Sequence, residues 1–412
     1  MKVLVKNIGC LQTPVGSYSH KGSKQGVNMK YADAAVAIED GIIKEICEGG
    51  ALPEGTPLSE YDQVIDAEGK LVTPGLVDGH THLVFGGYRQ HEIAMKLAGA
   101  GYLDILRAGG GILDTVRKTR EAAPQELFDK SAEFLDEMLS LGITTVEIKS
   151  GYGLDKENEI KELEVIKRLA DEHVADVVAT FLGPHAVPPE YEGRGDDYID
   201  MTIQEILPEV RERNLAEFCD IFCEDSVFNA EQSRKYLEAA KALGFELKIH
   251  ADEIEAIGGS ELAGELGAAS AEHLIAITES GQNALAEGGT TAMCLPATSF
   301  YLDKTFAPAK EMIGKGIPVA IASDFNPGSC PSLNLQFCIN LGCLKYKMTP
   351  EEVLTAVTIN PACAIGRGDR VGTIEVGKQA DMVIWNAPDF EMVCYRFGSN
   401  LAERVIKNGE LL

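Results

Sequence analysis

The 412-residue sequence lacks the features of membrane, nucleic-acid-binding and disulfide-stapled proteins. No apolar run is long enough to span a bilayer, and residues 1–10 form an alternating strand pattern without a signal peptide, so we expect a cytoplasmic protein. Basic residues are scarce: 37 lysines and arginines stand against 64 acidic residues, and the formal net charge is −27. Because nucleic acids and anionic membranes require basic patches, this charge argues against both as partners.

None of the ten cysteines forms a Cys-x-x-Cys pair. Cys219, Cys223 and Cys294 lie in apolar runs, where a reduced cysteine behaves as a small hydrophobe. The chain is also far longer than a scaffold that depends on disulfides. We therefore expect buried free thiols in a reducing compartment rather than disulfides or a thiolate metal site.

A strand-then-helix pattern repeats through the middle of the chain. Short apolar runs rich in β-forming residues alternate with amphipathic stretches at helical spacing, such as 157–170 and 230–243. Eight successive β-α units predict a closed parallel (β/α)8 barrel, an α/β fold of the TIM type. The apolar runs are residues 76–83, 144–148, 177–182, 219–223, 246–249, 268–271, 291–295 and 318–322.

Both ends of the chain alternate short strands with turns instead. Glu39-Asp40-Gly41 separates two such strands near the N-terminus, and Asn408-Gly409 is a strong hairpin signal near the C-terminus. Neither end is long enough for a sheet core of its own, so we expect one small β-sandwich formed by both, with a separate β appendage at each end as the alternative. The expected divisions are 1–70 and 373–412 for the β-sandwich and 71–372 for the barrel.

The polar residues that follow the predicted strands form the strongest pattern in the sequence. In a (β/α)8 barrel the catalytic residues lie at the carboxyl ends of the strands. The chain has only eight histidines, and five of them fall at these positions. The residues at the strand ends are His80, His82, Lys149, His185, Glu224, His250, His273 and Asp324.

His80 and His82 point to the same side of a strand, because alternate residues of a strand share a face. His250, His273 and Asp324 follow later strands and are candidates for the remaining ligands of a metal ion. The alternatives are histidines satisfied by hydrogen bonds and, for Asp324, a turn cap. Three imidazoles and one carboxylate suit zinc or iron, with a coordination position left open for water.

An ion in such a site lowers the pKa of a bound water molecule to about 7. A neighbouring base must then accept the proton, and Asp324, Glu253 and His273 are the candidates. Lys149 has two interpretations: a carbamylated bridge between two metals, or a salt-bridged residue. With one carboxylate and few histidines to spare, we expect a single metal ion.

These residues resemble the amidohydrolase superfamily and, within it, the imidazolonepropionase family. The string at 74–82, Pro-Gly-Leu-Val-Asp-Gly-His-Thr-His, is typical of the whole superfamily. Ser-Gly-Tyr-Gly at 150–153 and His-Ala-Val-Pro-Pro at 185–189 are much more specific. With His-Ala-Asp-Glu at 250–253 and Asp-Phe-Asn-Pro-Gly-Ser at 324–329, the resemblance extends from about residue 70 to 330. Residues 14–30 have no clear counterpart and are expected to form a loop.

The resemblance implies a function in histidine degradation, namely hydrolysis of the cyclic amide C–N bond of 4-imidazolone-5-propanoate to N-formimidoyl-L-glutamate. It implies one divalent or trivalent metal ion, zinc or iron, and a homodimer. It also implies roles for particular residues. The implied metal ligands are His80, His82, His250 and Asp324, the implied catalytic residues are His273, Glu253 and Asp324, and the implied substrate contacts are Arg89, Tyr152, His185, Glu253, Asn326, Gly328 and Ser329.

Arg89 follows shortly after the His80–His82 strand and can hold the propionate carboxylate of this substrate with paired, charge-assisted hydrogen bonds. Tyr102 is a second candidate for the same carboxylate. Without the resemblance, Arg89 would more often be a surface residue.

Two rival functions stay open. An aminohydrolase that deaminates a purine- or pyrimidine-like ring shares the histidine pattern and Glu253, whereas the Ser-Gly-Tyr-Gly string and Arg89 argue against it. A non-catalytic protein on the same fold could lose metal ligands, whereas this chain has every one.

Overall fold

A computed structural model describes residues 1–53, 57–99 and 109–412. Tyr102 lies outside these residues. The described chain forms one eight-stranded and one nine-stranded sheet, and its ten cysteines are free thiols. None of the helices in the described ranges has the length and apolar character needed to cross a membrane.

The first sheet takes its strands from both ends of the chain, which confirms the expected joint β-domain. Its strands are β1 (Lys2–Thr13), β2 (Met29–Glu39), β3 (Ile42–Cys47), β4 (Gln63–Asp66), β5 (Leu71–Pro74), β15 (Met382–Trp385), β16 (Ala402–Lys407) and β17 (Glu410–Leu411). They lie in the order β17-β16-β15-β5-β1-β2-β3, and β4 pairs with β1. The two ends meet at β5, which pairs in parallel with β1 and antiparallel with β15.

The two predicted hairpin turns touch each other. Asp40 and Gly41 have φ values of 50° and 77°, and Asn408 and Gly409 have values of 52° and 79°. Two successive positive φ angles are what a two-residue turn between antiparallel strands requires. A Cβ atom added to Gly41 would lie 2.9 Å from the carbonyl oxygen of Asn408, so glycine permits the two turns to pack this closely.

Apolar side chains from both chain ends form one core beneath this sheet. Val5 and Ile38 from the N-terminal part pack in the same cluster as Ile384 and Ile406. Each chain end therefore buries its apolar side chains against those of the other end, and this burial stabilises the joint domain. The division of the chain at residues 70 and 372 stays a prediction.

The second sheet is the predicted barrel. Its strands are β6 (Leu76–Thr81), β7 (Ile143–Lys149), β8 (Asp176–Phe181), β9 (Phe218–Cys219), β10 (Phe222–Cys223), β11 (Glu246–Ala251), β12 (Ser270–His273), β13 (Thr291–Cys294) and β14 (Val319–Ile321). The order is β14-β13-β12-β11-β9-β8-β7-β6, with β10 paired to β11. A parallel bridge between Thr81 and Phe325 brings the first strand of the barrel to the segment that follows the last.

Every predicted run of the barrel overlaps at least one observed strand. The run at 219–223 differs in one respect, since it is divided into β9 and β10 around Asp220 and Ile221. The two amphipathic stretches are helices at Lys156–Glu172 and Ala230–Ala242. The other α-helices of the described residues are Glu92–Leu97, Ile112–Glu121, Pro124–Ser140, Gly195–Met201, Leu207–Glu212, Gly259–Leu266, Glu279–Gly288, Pro296–Tyr301, Ala309–Gly314, Leu335–Leu344, Pro350–Ala356, Ile359–Ala364 and Phe390–Tyr395.

The segment expected to be a loop at 14–30 includes a short 3-10 helix, Gly22–Gly26, and is tied to the barrel. The amide of buried Gln25 donates to the carbonyl oxygen of Val319 over 2.9 Å and accepts from the N–H of Val319 over 3.0 Å. Val319 is the first residue of β14. The segment therefore covers the amino-terminal end of this strand, away from the predicted active site.

We expect Gln25→Ala to destabilise the protein by about 1–3 kcal/mol, because the N–H of Val319 would lose its acceptor while it stays buried. The carbonyl oxygen of Val319 would keep a donor, the side-chain amide of Asn360. The midpoint of thermal unfolding, followed by circular dichroism, measures this loss. Lys24→Ala is the matched control, since Lys24 is exposed in the same short helix. Equal midpoints for the two variants would contradict the assigned role of Gln25.

Candidate active site

The predicted site residues meet at the carboxyl ends of the barrel strands. All but two of them line a cavity of about 410 Å³, a size that suits a small ring compound. Two of them do not line it: His80 is fully buried beside the cavity, and Gly328 packs against Arg89. The predicted residues that line the cavity are His82, Arg89, Tyr152, His185, His250, Glu253, His273, Asp324, Asn326 and Ser329.

Three buried imidazoles form a group that could hold a metal ion. One nitrogen from each of His80, His82 and His250 lies within 4.8 Å of the other two. The Nε2 atoms of His82 and His250 are 3.4 Å apart, and Asp324 Oδ1 lies 3.5 Å from Nε2 of both His80 and His82. His80 Nε2 has no hydrogen-bond partner among the described residues. Converging imidazole nitrogens beside a carboxylate, one of these nitrogens buried and without a hydrogen bond, fit a metal ion.

The opposite nitrogens of two of these rings are held by carboxylates. His80 Nδ1 lies 2.9 Å from Glu272 Oε2, and His250 Nδ1 lies 3.1 Å from Asp220 Oδ1. Because a carboxylate accepts the Nδ1 proton, each ring keeps the lone pair of Nε2 free for a metal ion.

Sequence reasoning missed both of these carboxylates. Asp78 is the acidic residue closest to His80 in the sequence. Asp78 Oδ1 accepts from the N–H of Ser323 over 3.0 Å, so it holds the chain after β14 rather than an imidazole. A signal for Asp220 and Glu272 was present, because an acidic residue inside an apolar barrel strand is costly unless it is paired.

Lys149 is fully buried and salt-bridged. Its Nζ lies 2.8 Å from Glu147 Oε1 and 2.9 Å from Asp220 Oδ2. Burial lowers the pKa of Lys149, but the attraction of Asp220 and Glu147 outweighs burial and raises the pKa above its usual value. The side chain is therefore a charged ammonium, which supports the salt-bridged interpretation over a carbamylated bridge.

The candidate bases lie together at the cavity wall. His273 Nε2 is 3.6 Å from Glu253 Oε2, and Asp324 Oδ2 accepts from the Thr298 hydroxyl over 2.5 Å. Burial lowers the pKa of His273 to about 3 and raises the pKa of Asp324 to about 6. Burial also raises the pKa of Glu253. Burial at the cavity thus shifts the pKa of each of these groups in the direction of its neutral form.

Arg89 brings a positive charge to the same cavity. Its buried Nε atom has no hydrogen-bond partner among the described residues. This atom forms an ion pair with Glu92, whose Oε1 atom lies 3.7 Å away. A Cβ atom added to Gly328 would lie only 1.3 Å from Arg89 Nη2. Asn326 Oδ1 accepts from the N–H groups of Gly328 and Ser329 over 2.8 and 2.7 Å and so shapes the loop against which the guanidinium rests.

His185 and Tyr152 form another wall of the cavity. The His185 ring stacks on His82 with centroids 4.9 Å apart and an interplanar angle of 16°, and its Nδ1–H donates to the carbonyl oxygen of Gly151 over 3.0 Å. Burial raises the pKa of Tyr152, so its hydroxyl keeps the proton that it can donate. Sequence reasoning missed the apolar part of the lining, which includes Phe222 and Ile254.

Known proteins with related sequences and structures place the chain in a family. The sequence model of the amidohydrolase family matches residues 71–411. The chain is 51% identical to the imidazolonepropionase of Alkaliphilus metalliredigens, over 100% of this chain and 97% of that protein. It is 54% identical to the imidazolonepropionase of Fusobacterium nucleatum, over 88% of each chain.

Solved structures show the same fold at low sequence identity. The 5-methylcytosine deaminase from Klebsiella pneumoniae superimposes with a TM-score of 0.72 at 17% identity, over 100% of this chain and 98% of that chain. The similarity to this solved structure concerns the fold alone. The family is defined by the two imidazolonepropionases, which are 51% and 54% identical to this chain. The chain belongs to the amidohydrolase family and, within it, to the imidazolonepropionases.

Proposed function

We propose that this protein hydrolyses the cyclic amide C–N bond of 4-imidazolone-5-propanoate and forms N-formimidoyl-L-glutamate, a step in histidine degradation. One observation carries the proposal: a single cavity is lined by two imidazoles of the candidate metal group, His82 and His250, and by Arg89. The substrate likewise combines a hydrolysable ring with a propionate carboxylate. The name shared by the two relatives of this chain supports the same reaction.

The proposal includes one metal ion, zinc or iron, held by His80, His82, His250 and Asp324. When bound in such a site, the ion activates water and polarises a carbonyl oxygen. The ligands are arranged in advance by the protein, since Glu272 holds the His80 ring and the Asp220 carboxylate holds the His250 ring.

In this proposal the cavity residues that do not hold the metal ion bind the substrate. Arg89 donates paired hydrogen bonds to the propionate, and the loop at Asn326, Gly328 and Ser329 shapes the space around it. His185 and Tyr152 contact the ring and orient its carbonyl group toward the imidazoles. Because no carboxylate of the described chain lies within hydrogen-bond distance of Arg89 Nε, this atom is available to an anionic ligand.

The reaction adds water across the amide bond. The water oxygen bonds to the ring carbonyl carbon, the bond from this carbon to the ring nitrogen breaks, and the nitrogen takes up a proton. We assign the proton transfers to Asp324, Glu253 and His273, which lie at the cavity wall within reach of a small substrate. The assignment rests on their position at the cavity wall. Their distances from one another in the free protein matter less, because catalytic hydrogen bonds often shorten when substrate binds.

The alternative, deamination of a purine- or pyrimidine-like ring, is not favoured. The solved deaminase shares the fold at only 17% identity, and a neutral ring has no group that requires the Arg89 cation. A homodimer, a cytoplasmic location and the lack of a nucleic-acid partner stay predictions, of which the last follows from the net charge of −27.

A turnover assay with freshly generated 4-imidazolone-5-propanoate, alongside elemental analysis of the purified protein, tests the proposed function directly. We expect loss of the substrate absorbance, formation of N-formimidoyl-L-glutamate, and about one equivalent of zinc or iron per chain. A metal-loaded protein that leaves this substrate unchanged would refute the reaction while it leaves the metal site intact.

His250→Ala should lose bound metal and turnover together, because the variant removes one of three imidazole ligands. Metal content and rate are measured on the same preparation. His173→Ala is the matched control, since His173 follows a helix outside the barrel mouth and lies 3.2 Å from Asp136. Full activity in His250→Ala would show that the assigned ligand set is wrong.

Arg89→Ala should raise KM for the propionate substrate about 10- to 150-fold, the equivalent of one lost charged hydrogen-bond pair of about 1.5–3 kcal/mol. KM for an analogue without the carboxylate should change little. Gly328→Ala tests the same contact without removal of the charge, because the added Cβ would displace the guanidinium. Equal effects of Arg89→Ala on both compounds would contradict the role of Arg89 as a carboxylate clamp.

A further inference from the structure

The connection from β7 to the helix at Lys156–Glu172 carries Tyr152 into the cavity. Residues 150–154 of this connection are buried, and its backbone has positive φ values of 120° at Gly151 and 52° at Leu154. A buried irregular segment has no ladder or helix to satisfy its N–H groups, so other acceptors must be supplied.

Two glutamates of the following helix supply these acceptors. Glu159 Oε1 accepts from the N–H of Gly153 over 2.9 Å and of Leu154 over 2.8 Å. Glu162 Oε2 accepts from the N–H of Tyr152 over 3.2 Å. The two side chains lie three residues apart and therefore on the same face of the helix. Together they bind three consecutive amides, beginning at Tyr152 itself.

Both glutamates are fully buried, and burial raises the pKa of each carboxyl. Glu162 Oε1 has no hydrogen-bond partner among the described residues. Two neighbouring acidic groups in an apolar interior are unfavourable, and a leucine at either position would fill the space at lower cost. Unlike leucine, these two glutamates accept hydrogen bonds from the three backbone amides.

The connection has little freedom to shift once these bonds are made. A Cβ atom added to Gly153 would lie 2.4 Å from the backbone nitrogen of Glu159, and one added to Gly151 would lie 2.9 Å from His185 Nδ1. The Tyr152 ring lies 5.4 Å from the ring of His185. A displacement of the backbone at Tyr152 therefore moves its side chain relative to His185 in the cavity.

We propose that Glu159 and Glu162 are positioning residues that determine substrate affinity through Tyr152. They hold three backbone amides and thereby set where the Tyr152 side chain stands in the cavity. The proposal rests on the proposed function in one respect, that Tyr152 contacts the substrate. The holding of the amides does not depend on it.

The decisive variants are Glu159→Leu and Glu162→Leu, compared with Glu159→Gln and Glu162→Gln. Leucine fills the buried space and removes the acceptor, whereas glutamine keeps a carbonyl oxygen that accepts the same bonds. We expect each leucine variant to raise KM about tenfold with a change in kcat of less than about threefold. The glutamine variants should stay close to the wild type, and so should Glu157→Leu, a control at an exposed position of the same helix.

A double-mutant cycle with Tyr152→Phe tests whether the effect passes through Tyr152. If it does, Glu159→Leu should raise KM much less in the Tyr152→Phe background than in the wild type. Fully additive effects would overturn the proposal, as would leucine variants with an unchanged KM or glutamine variants as impaired as the leucine ones.

Hydrogen exchange of the amides at 152–154, measured without substrate, separates this proposal from the proposed function. Exchange at these amides should accelerate about tenfold or more in the leucine variants and stay slow in the glutamine variants. Unchanged exchange in the leucine variants would overturn the positioning role even if the enzyme is active. Accelerated exchange in a protein that does not turn over the substrate would instead reject the proposed function.

Discussion

The burial of charge inside the barrel is the constraint on which the rest of the site depends. Lys149, Asp220 and Glu272 have no exposed surface at all, and an isolated charge at such a position would be very unfavourable. Each is stable because a partner of opposite charge or a hydrogen-bond donor lies about 3 Å away. The carboxylates of Glu272 and Asp220 also orient the His80 and His250 rings, so the network that stabilises the interior also arranges the candidate metal site.

The lining of the cavity contains two kinds of chemical group. Its lining includes imidazoles and carboxylates close to a candidate metal position and, among the residues that the structure describes, a single guanidinium, that of Arg89. In a protein with a net charge of −27, anions are repelled at long range, so a local cation is needed to retain an anionic substrate. The loop at Gly328 permits this cation to approach because glycine has no side chain in its way.

The parts of the chain outside the barrel also shape it. The first sheet joins both chain ends through β5, and Gln25 attaches the segment before β2 to the first residue of β14. β14 ends at Ile321, and Asp324 of the candidate site follows three residues later. A segment remote from the chemistry thus helps to hold a strand that leads directly to a site residue.

Local pattern in the sequence determined the strands of the barrel and the positions of its histidines. Strand periodicity marks the runs, and the polar residue after each run reaches the same end of a parallel barrel, so His80, His82, His250 and Asp324 could be predicted to converge. Only the tertiary structure decided which charges pair. Glu272 is 192 residues from His80, and Asp220 interrupts a strand that the pattern predicts as continuous. Sequence periodicity describes which face a residue occupies. It does not describe which groups become neighbours. Closure of the barrel decides this, because each buried charge then needs a partner of opposite charge or a hydrogen-bond partner close to it.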